Sequence, residues 1–326
     1  MAVRVGVAGA GALGFHHARI LRELTEDAFV GVYDADPARA AHVAGQLGVR
    51  AWPTREALVE AADAVSIAAP TAVHAAAATT VLAAGRHAFI EKPVTVTVEE
   101  ADALAVLAAS RGVVVQVGHV ERYNRAVRAA RPVVRDAWYL EASRLAPYTP
   151  RGADVSVVLD LMIHDIDLAC WLLGAEPVDV AAIGAAYLKP TPDLAQARLT
   201  FAKGQVASLT TSRLHAGRRR TLTVVQRDGL VQCDLAAGTA AWWRLRDDVD
   251  PAALALAPQD TSQFAERVPL EAAEGETLRL EFVDWLAAIA GERSPAVSLA
   301  DGRAALAVAR RVEAAIAAGA ALRGTG

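Results

Sequence analysis

A chain of 326 residues with 37 acidic and 33 basic side chains, net charge −4, is long enough for two domains and carries no basic footprint, which excludes nucleic acid as an expected partner. At 54% hydrophobic it is too apolar for disorder, yet no apolar run is long enough to span a bilayer. Cys170 and Cys233 make no disulfide framework and have no metal-ligand spacing, so both read as buried thiols in a reducing compartment; the start is too short and too glycine-rich for a signal peptide, and the expected location is the cytoplasm.

Val3 to Ala8 alternate like a buried strand. Gly9-Ala-Gly11-Ala-Leu13-Gly14 follows, and a helical stretch runs from Phe15 to Leu24. Strand, glycine loop and helix in that order form the dinucleotide fingerprint. The first glycine permits the turn, the second lets backbone approach a pyrophosphate, and the third lets helix and strand pack. Residues 29–33 read as a second strand, closed by Asp34 twenty residues after Gly14. A carboxylate there accepts hydrogen bonds from ribose hydroxyls and repels a 2′-phosphate, so NAD is expected rather than NADP. Asp36-Pro37 already supplies a helix cap and a first-turn proline, which leaves Asp34 free for that work.

Strands are then predicted over 64–69, 87–90 and 113–117, with a helix opening at Pro70-Thr71-Ala-Val-His74 and another at the capping box Thr97-Val-Glu-Glu100. Repeated βα units indicate a doubly wound parallel sheet, with ligands at the carboxyl ends of its strands. Pro70, Thr71, His74, Glu91 and Lys92 all lie at such ends. His16 and His17 are read as packing near the glycine loop.

Residues 154–174 read as a buried helix stopped by Gly174, with Asp160, His164 and Asp167 on one face at spacings of four and three. A carboxylate one turn before a histidine can hold the imidazole and suits a general base. A satisfied structural pair and a metal site of His and Asp are the alternatives. From Trp138 onward the pattern turns to alternating strands, predicted over 138–145, 178–187, 194–201, 206–214, 221–226 and 230–235, with a further one holding Trp242 and Trp243. Helices are predicted over 277–290 and from about 298 to 321. Arg218-Arg219-Arg220 reads as a solvated turn.

Together these segments resemble the glucose–fructose oxidoreductase / inositol dehydrogenase / rhizopine-catabolism (Gfo/Idh/MocA) family. The matching pieces are GAGALG at 9–14, Ala69-Pro70-Thr71-x-x-His74, the segment 84–93 ending Glu91-Lys92-Pro93, Gly118-His119-Val-Glu-Arg122-Tyr123-Asn124, and Asp160-x-x-x-His164-x-x-Asp167. A narrower likeness, carried by 118–124 and by 147–167, is to the branch that oxidises C3 of UDP-N-acetylglucosamine. Two departures stand out: Arg125 occupies a position where proline often follows the Asn, and the glycines that many members carry before the Asp160 position are missing.

The resemblance implies an α/β fold: a Rossmann domain over 1–118 and a C-terminal α+β domain over 119–326 with a large, mostly antiparallel sheet, the C-terminal helix being free to pack back on the first domain. It implies NAD-dependent hydride transfer from a secondary hydroxyl of a sugar, with Lys92, Asp160 and His164 catalytic and with a cis bond between Lys92 and Pro93. Cofactor contacts are expected from Gly9, Gly11, Leu13, Gly14, Asp34, Arg39, Pro70, Thr71, His74, Glu91 and Lys92. Substrate contacts are expected from His119, Arg122, Tyr123, Asn124, Arg144, Tyr148, Arg151 and Asp167, the arginines meeting a pyrophosphate. The substrate is expected to be a sugar or UDP-sugar, with no metal, nucleic acid or membrane as partner, and with a homodimer or homotetramer formed through the C-terminal sheet. A cyclitol or free-sugar dehydrogenase is the runner-up. A non-catalytic NAD-binding sensor is a third reading, which the intact Lys92, Asp160 and His164 set disfavours.

Overall fold

A computed structural model describes residues 2–149, 155–188, 190–247 and 260–323, and side chains up to 319. Its contacts divide into two compact units. One holds Met1–Val120 with Gly275–Ala307, the other Glu121–Glu274 with Val308–Gly326.

In the first unit, β1 (Val5–Ala8), β2 (Phe29–Tyr33), β3 (Ala64–Ile67), β4 (His87–Glu91) and β5 (Val115–Gly118) form one parallel sheet in the order β2-β1-β3-β4-β5. Strand order reverses between β1 and β3, and ligands to open α/β sheets bind in the crevice at that point. The connections include α1 (Ala12–Thr25), α2 (Pro37–Leu47), α3 (Arg55–Ala61), α4 (His74–Ala83) and α5 (Val98–Arg111). Local chemistry sets the helix starts. Asp36 accepts from the backbone of Ala38 and Arg39 with Pro37 in the first turn, and Thr97 and Glu100 complete a reciprocal capping box.

The expected domain boundary needs one correction. Residues 275–307 group with the first unit rather than with 119–326. The helix Thr277–Ile289 inserts Phe282 and Trp285, both fully buried, into the Rossmann core. Phe282 packs 4.9 Å from Phe89 and 5.0 Å, edge-on, from His17. Side chains of this size gain several kcal/mol on burial, enough to decide which core owns the helix. Residues 297–298 then run along the free edge of β5: Val117 donates to the Val297 carbonyl and Gln116 bridges Ser298. The long helix Leu299–Arg323 begins in the first unit, and its later part belongs to the second.

The second unit is built on an eight-stranded sheet. Its strands are β6 (Tyr139–Leu145), β7 (Pro177–Ala185), β8 (Leu194–Phe201), β9 (Val206–Ser212), β10 (Arg219–Gln226), β11 (Gly229–Asp234), β12 (Thr239–Leu245) and β13 (Ala265–Leu270), in the order β13-β12-β11-β10-β6-β9-β8-β7. Every pairing is antiparallel except β6 with β9. Alternate residues such as Leu140, Ala142, Leu222, Val224, Ala207 and Leu209 are buried, as expected where one face packs on a core. The short helices α3 and α6 (Arg125–Ala130) carry too little periodic signal to be read from sequence, and the strand β13 is masked by Pro269 within it. Arg219 and Arg220 open β10 instead of lying in a solvated turn. Cys233 is buried, its thiol pushed up to about 12 by burial, whereas Cys170 is half-exposed and so departs from expectation.

The helix predicted over 154–174 is of two kinds: a π-helical turn over Val158–Met162, then α7 (Ile163–Leu173), stopped by Gly174 in the left-handed conformation. Residue 154 lies outside the described residues, as does Arg151. No helix among the described residues is long and apolar enough to cross a membrane.

Candidate active site

In the first unit the glycine loop sits at the carboxyl ends of β1 and β3. Each glycine is needed for a different reason. Gly9 has φ +108°, and a Cβ there would collide with the Ala68 carbonyl at the end of β3. A Cβ on Gly14 would run into the Gly9 carbonyl. A Cβ on Gly11 would meet nothing within 4 Å. Gly11 therefore borders open space in front of the α1 N-terminus, a cradle that fits a pyrophosphate. Leu13 is half-buried beside it. Gly11→Val is expected to leave thermal unfolding nearly unchanged while abolishing NAD binding by filling that space. Retained NADH fluorescence titration in this variant would overturn the assignment.

Asp34 stands at the end of β2, its side chain 10% exposed, with Oδ1 3.6 Å from Arg39. One oxygen accepts from the Ala10 N–H of the glycine loop (2.6 Å) and the other from Asp36 N–H (2.9 Å). The carboxylate is thus fixed against the glycine loop, and helix capping falls to Asp36. Asp34→Ala is expected to weaken NAD binding and to narrow its advantage over NADP, as read from paired titrations. Unchanged selectivity would refute the ribose role.

At the end of β4 the Lys92–Pro93 bond is cis, and Lys92 is half-buried. Beneath Lys92 runs a buried chain of polar groups. Ser66 Oγ lies 2.8 Å from His17 Nδ1, His17 Nε2 lies 3.1 Å from Glu91 Oε1, and Glu91 Oε2 accepts from the Lys92 N–H (3.1 Å). Burial works to push the Glu91 carboxyl up, but His17 and Lys92 outweigh it and hold the group below the usual carboxylate range. Glu91 is therefore a support for the lysine turn rather than an expected cofactor contact. His74 is corrected in the same way. It is 1% exposed, and its ring nitrogens lie 2.9 Å from the Pro93 carbonyl and 2.8 Å from the Ala69 carbonyl. It ties the turn after β3 to the Lys92–Pro93 turn. Pro70 is exposed and Thr71 half-buried at the rim. Sequence reading placed His17 near the cofactor loop and missed Ser66, which carries no local signal inside a buried strand.

In the second unit, exposure sorts the acidic groups of the central helix. Asp160 and His164 are half-buried, whereas Asp165 and Asp167 are each 1% exposed. Asp167 is held by Arg122 through two bonds of 2.8 and 2.6 Å. Arg144 donates to Asp165 (2.7 Å) and to Glu121 (2.7 Å). Burial alone would lower the Arg144 guanidinium, but the two carboxylates outweigh it and keep it well above its usual value. The forks of Arg122 and Arg144 are thus spent on internal carboxylates, which corrects their expected role as pyrophosphate ligands and that of Asp167 as a substrate contact. Asn124 is also spent: it caps α6 through Ala126 N–H and donates to Glu121 and the Leu235 carbonyl. His119 is fully buried at the end of the first unit. Of the expected substrate contacts, Tyr123 is half-buried and Tyr148 exposed.

A second buried pair holds the start of the same helix. Arg213 lies 3.7 Å from Asp193 and donates to the Val155 carbonyl (2.6 Å), while Val157 N–H donates to the Pro192 carbonyl. These partners are distant in sequence, so no local pattern announces them. Among the described residues no group of three or more His, Cys, Asp or Glu side chains is placed to hold a metal ion.

A Rossmann sheet with an intact dinucleotide loop, followed by a unit that presents a half-buried Asp–His pair on a helix, defines an NAD-dependent oxidoreductase. Residues 3–119 match the model of the oxidoreductase family with NAD-binding Rossmann fold, and residues 117–232 match the GFO/IDH/MocA C-terminal domain. The chain belongs to the Gfo/Idh/MocA oxidoreductase family. It is 38% identical over 315 residues to a UDP-N-acetylglucosamine 3-dehydrogenase of Acidithiobacillus ferrooxidans, covering 96% of this chain and 97% of that one. A solved structure of the Acidithiobacillus ferrooxidans enzyme superposes with TM-score 0.88 over 98% of this chain and 99% of the other. An NAD-dependent scyllo-inositol 2-dehydrogenase of Bacillus subtilis is 32% identical over 195 residues, 56% of this chain and 57% of its own.

Proposed function

We propose that the protein oxidises the C3 hydroxyl of UDP-N-acetylglucosamine. The observation that carries this reading is the 38% identity to an enzyme of that name across 96% of the chain. Likeness to the inositol dehydrogenase spans 56%, which makes a cyclitol the weaker reading. NAD, when bound, supplies the hydride acceptor. A secondary alcohol is a poor hydride donor until its hydroxyl proton begins to leave. His164 takes that proton as general base. Asp160, one turn earlier, orients the imidazole and offsets the charge it gains. Lys92 donates a hydrogen bond to the same oxygen and stabilises its developing negative charge. Tyr123 and Tyr148 remain as sugar contacts.

The test is NADH formation by the full chain with UDP-N-acetylglucosamine, free N-acetylglucosamine and inositols. UDP-N-acetylglucosamine is expected to be the preferred substrate. Equal activity on the free sugar would rule the reading out. The same reading includes a cytoplasmic enzyme that forms a homodimer or homotetramer through the outward face of the eight-stranded sheet, where Tyr139, Val206, Val225 and Trp243 are half-buried. Light scattering of a monomer at micromolar concentration would count against the assembly.

A further inference from the structure

Side chains of β6 and β10 on the core-facing side of the second unit's sheet stand in matched rows. Leu140 is opposite Val224, Ala142 opposite Leu222, and Arg144 opposite Arg220. The first two rows are buried and apolar. The third sets two cations directly across from each other, an unfavourable arrangement in any sheet. The two guanidinium groups are provided for unequally. Arg144 is 2% exposed and holds Asp165 and Glu121 at 2.7 Å each. Arg220 is left with Glu121 Oε1 at 3.8 Å, an atom that already accepts from Arg144. The other Glu121 oxygen accepts from Asn124. The Arg220 side chain remains 40% exposed. Burial, then the charge of Arg144, lowers the Arg220 guanidinium from its ordinary value; Glu121 and Asp165 oppose that shift without cancelling it, and Arg218 adds to the repulsion. An added anion would relieve that field.

The place matters as much as the charge. Arg144 bonds Asp165, and Asp165 follows His164 directly in α7. Arg220 is therefore one guanidinium away from the helix that carries the proposed base. A fork that is half-exposed, backed by a pinned cation and short of carboxylate partners suits bidentate binding of phosphate oxygens. We propose that Arg220 receives the diphosphate of the nucleotide-sugar substrate. The inference rests on the UDP-sugar reading and moves the pyrophosphate contact from Arg122 and Arg144 to a residue that reads as part of a solvated turn. Arg144 acts as a positioning residue behind it, held by Asp165 and Glu121.

The test uses the full chain with UDP as probe, measured by calorimetry, together with steady-state kinetics on UDP-N-acetylglucosamine. Arg220→Ala is expected to weaken UDP binding by about tenfold or more, the usual worth of a charge-assisted hydrogen bond, and to raise KM by a similar factor with a smaller change in kcat. NAD affinity should not move. Arg220→Lys should recover part of the loss, and the exposed neighbour Arg219→Ala should lose less than twofold. Should Arg220→Ala fail to fold, the lysine variant carries the measurement: a fork that binds phosphate predicts weaker UDP binding at unchanged thermal unfolding. A wild type that oxidises UDP-N-acetylglucosamine, with an Arg220→Ala or folded Arg220→Lys variant binding UDP equally well, overturns this inference and leaves the substrate reading standing. A wild type that neither binds UDP nor oxidises its sugar overturns both.

Discussion

Exchange of His164 for Asn is expected to lower turnover by roughly 10²–10⁴, the usual range for general acid–base catalysis, while NAD binding survives. Asparagine keeps a polar group of similar size on α7 but cannot accept the hydroxyl proton. Lys92→Met should lose a comparable factor, because it keeps the length of the side chain and removes the cation. The two residues lie in different units, so a common effect on the chemical step would not reflect one local disturbance. The structural alternative treats Asp160 and His164 as a stabilising pair. It predicts early unfolding with near-normal turnover in the folded fraction. Single-turnover hydride transfer measured beside thermal unfolding separates the two, and a fully active, less stable His164→Asn variant sinks the catalytic assignment. Exposure already bears on the choice: His164 and Asp160 are half-buried, while the carboxylates with purely internal partners, Asp165 and Asp167, are buried.

Arg144→Ala is expected to destabilise the fold by about 3–5 kcal/mol, the cost of removing one partner from a buried ion pair. The variant strands Asp165 at 1% exposure and leaves Glu121, at 6%, with the Asn124 amide and the distant Arg220. A drop in the denaturant midpoint at constant m-value is the readout. A change under 1 kcal/mol would mean that water or Arg220 replaces the guanidinium, and that the pair does not hold α7. Pairing Arg144→Ala with Asp165→Asn should recover part of the loss, since the second change removes the stranded charge.

What sequence alone reveals here follows the range of the interaction. The contact of Gly14 with the Gly9 carbonyl, the Thr97 capping box and the Gly174 stop are each set within a few residues, by steric demands of backbone or by hydrogen bonds to the next turn. They could be read correctly because their physics is local. The alternation of strands in the second half was legible for the same reason. The Lys92–Pro93 turn and the Asp160–His164 spacing were legible as motifs, though their support was not: Ser66, His17 and Glu91 meet only after β3, α1 and β4 have assembled.

The arginines show the opposite case. A guanidinium 23 residues from Glu121 and 21 from Asp165 gives no periodic sign of either partner. Sequence placed Arg122 and Arg144 near a presumed phosphate, and only the packed sheet and helix showed that buried carboxylates had claimed them. Arg220 is the converse, a residue of an apparent surface run that strand register sets beside a buried cation. The same holds for residues 275–307, whose aromatic helix joins the first core although it follows the second sheet in the chain. Local backbone and capping energies are written into neighbouring residues, and these determined the fold class, the glycine loop and the spacing of Asp160 and His164. Which charges neutralise one another, and which core takes a helix, depends on burial and on contacts between distant segments, and these the tertiary structure alone decided.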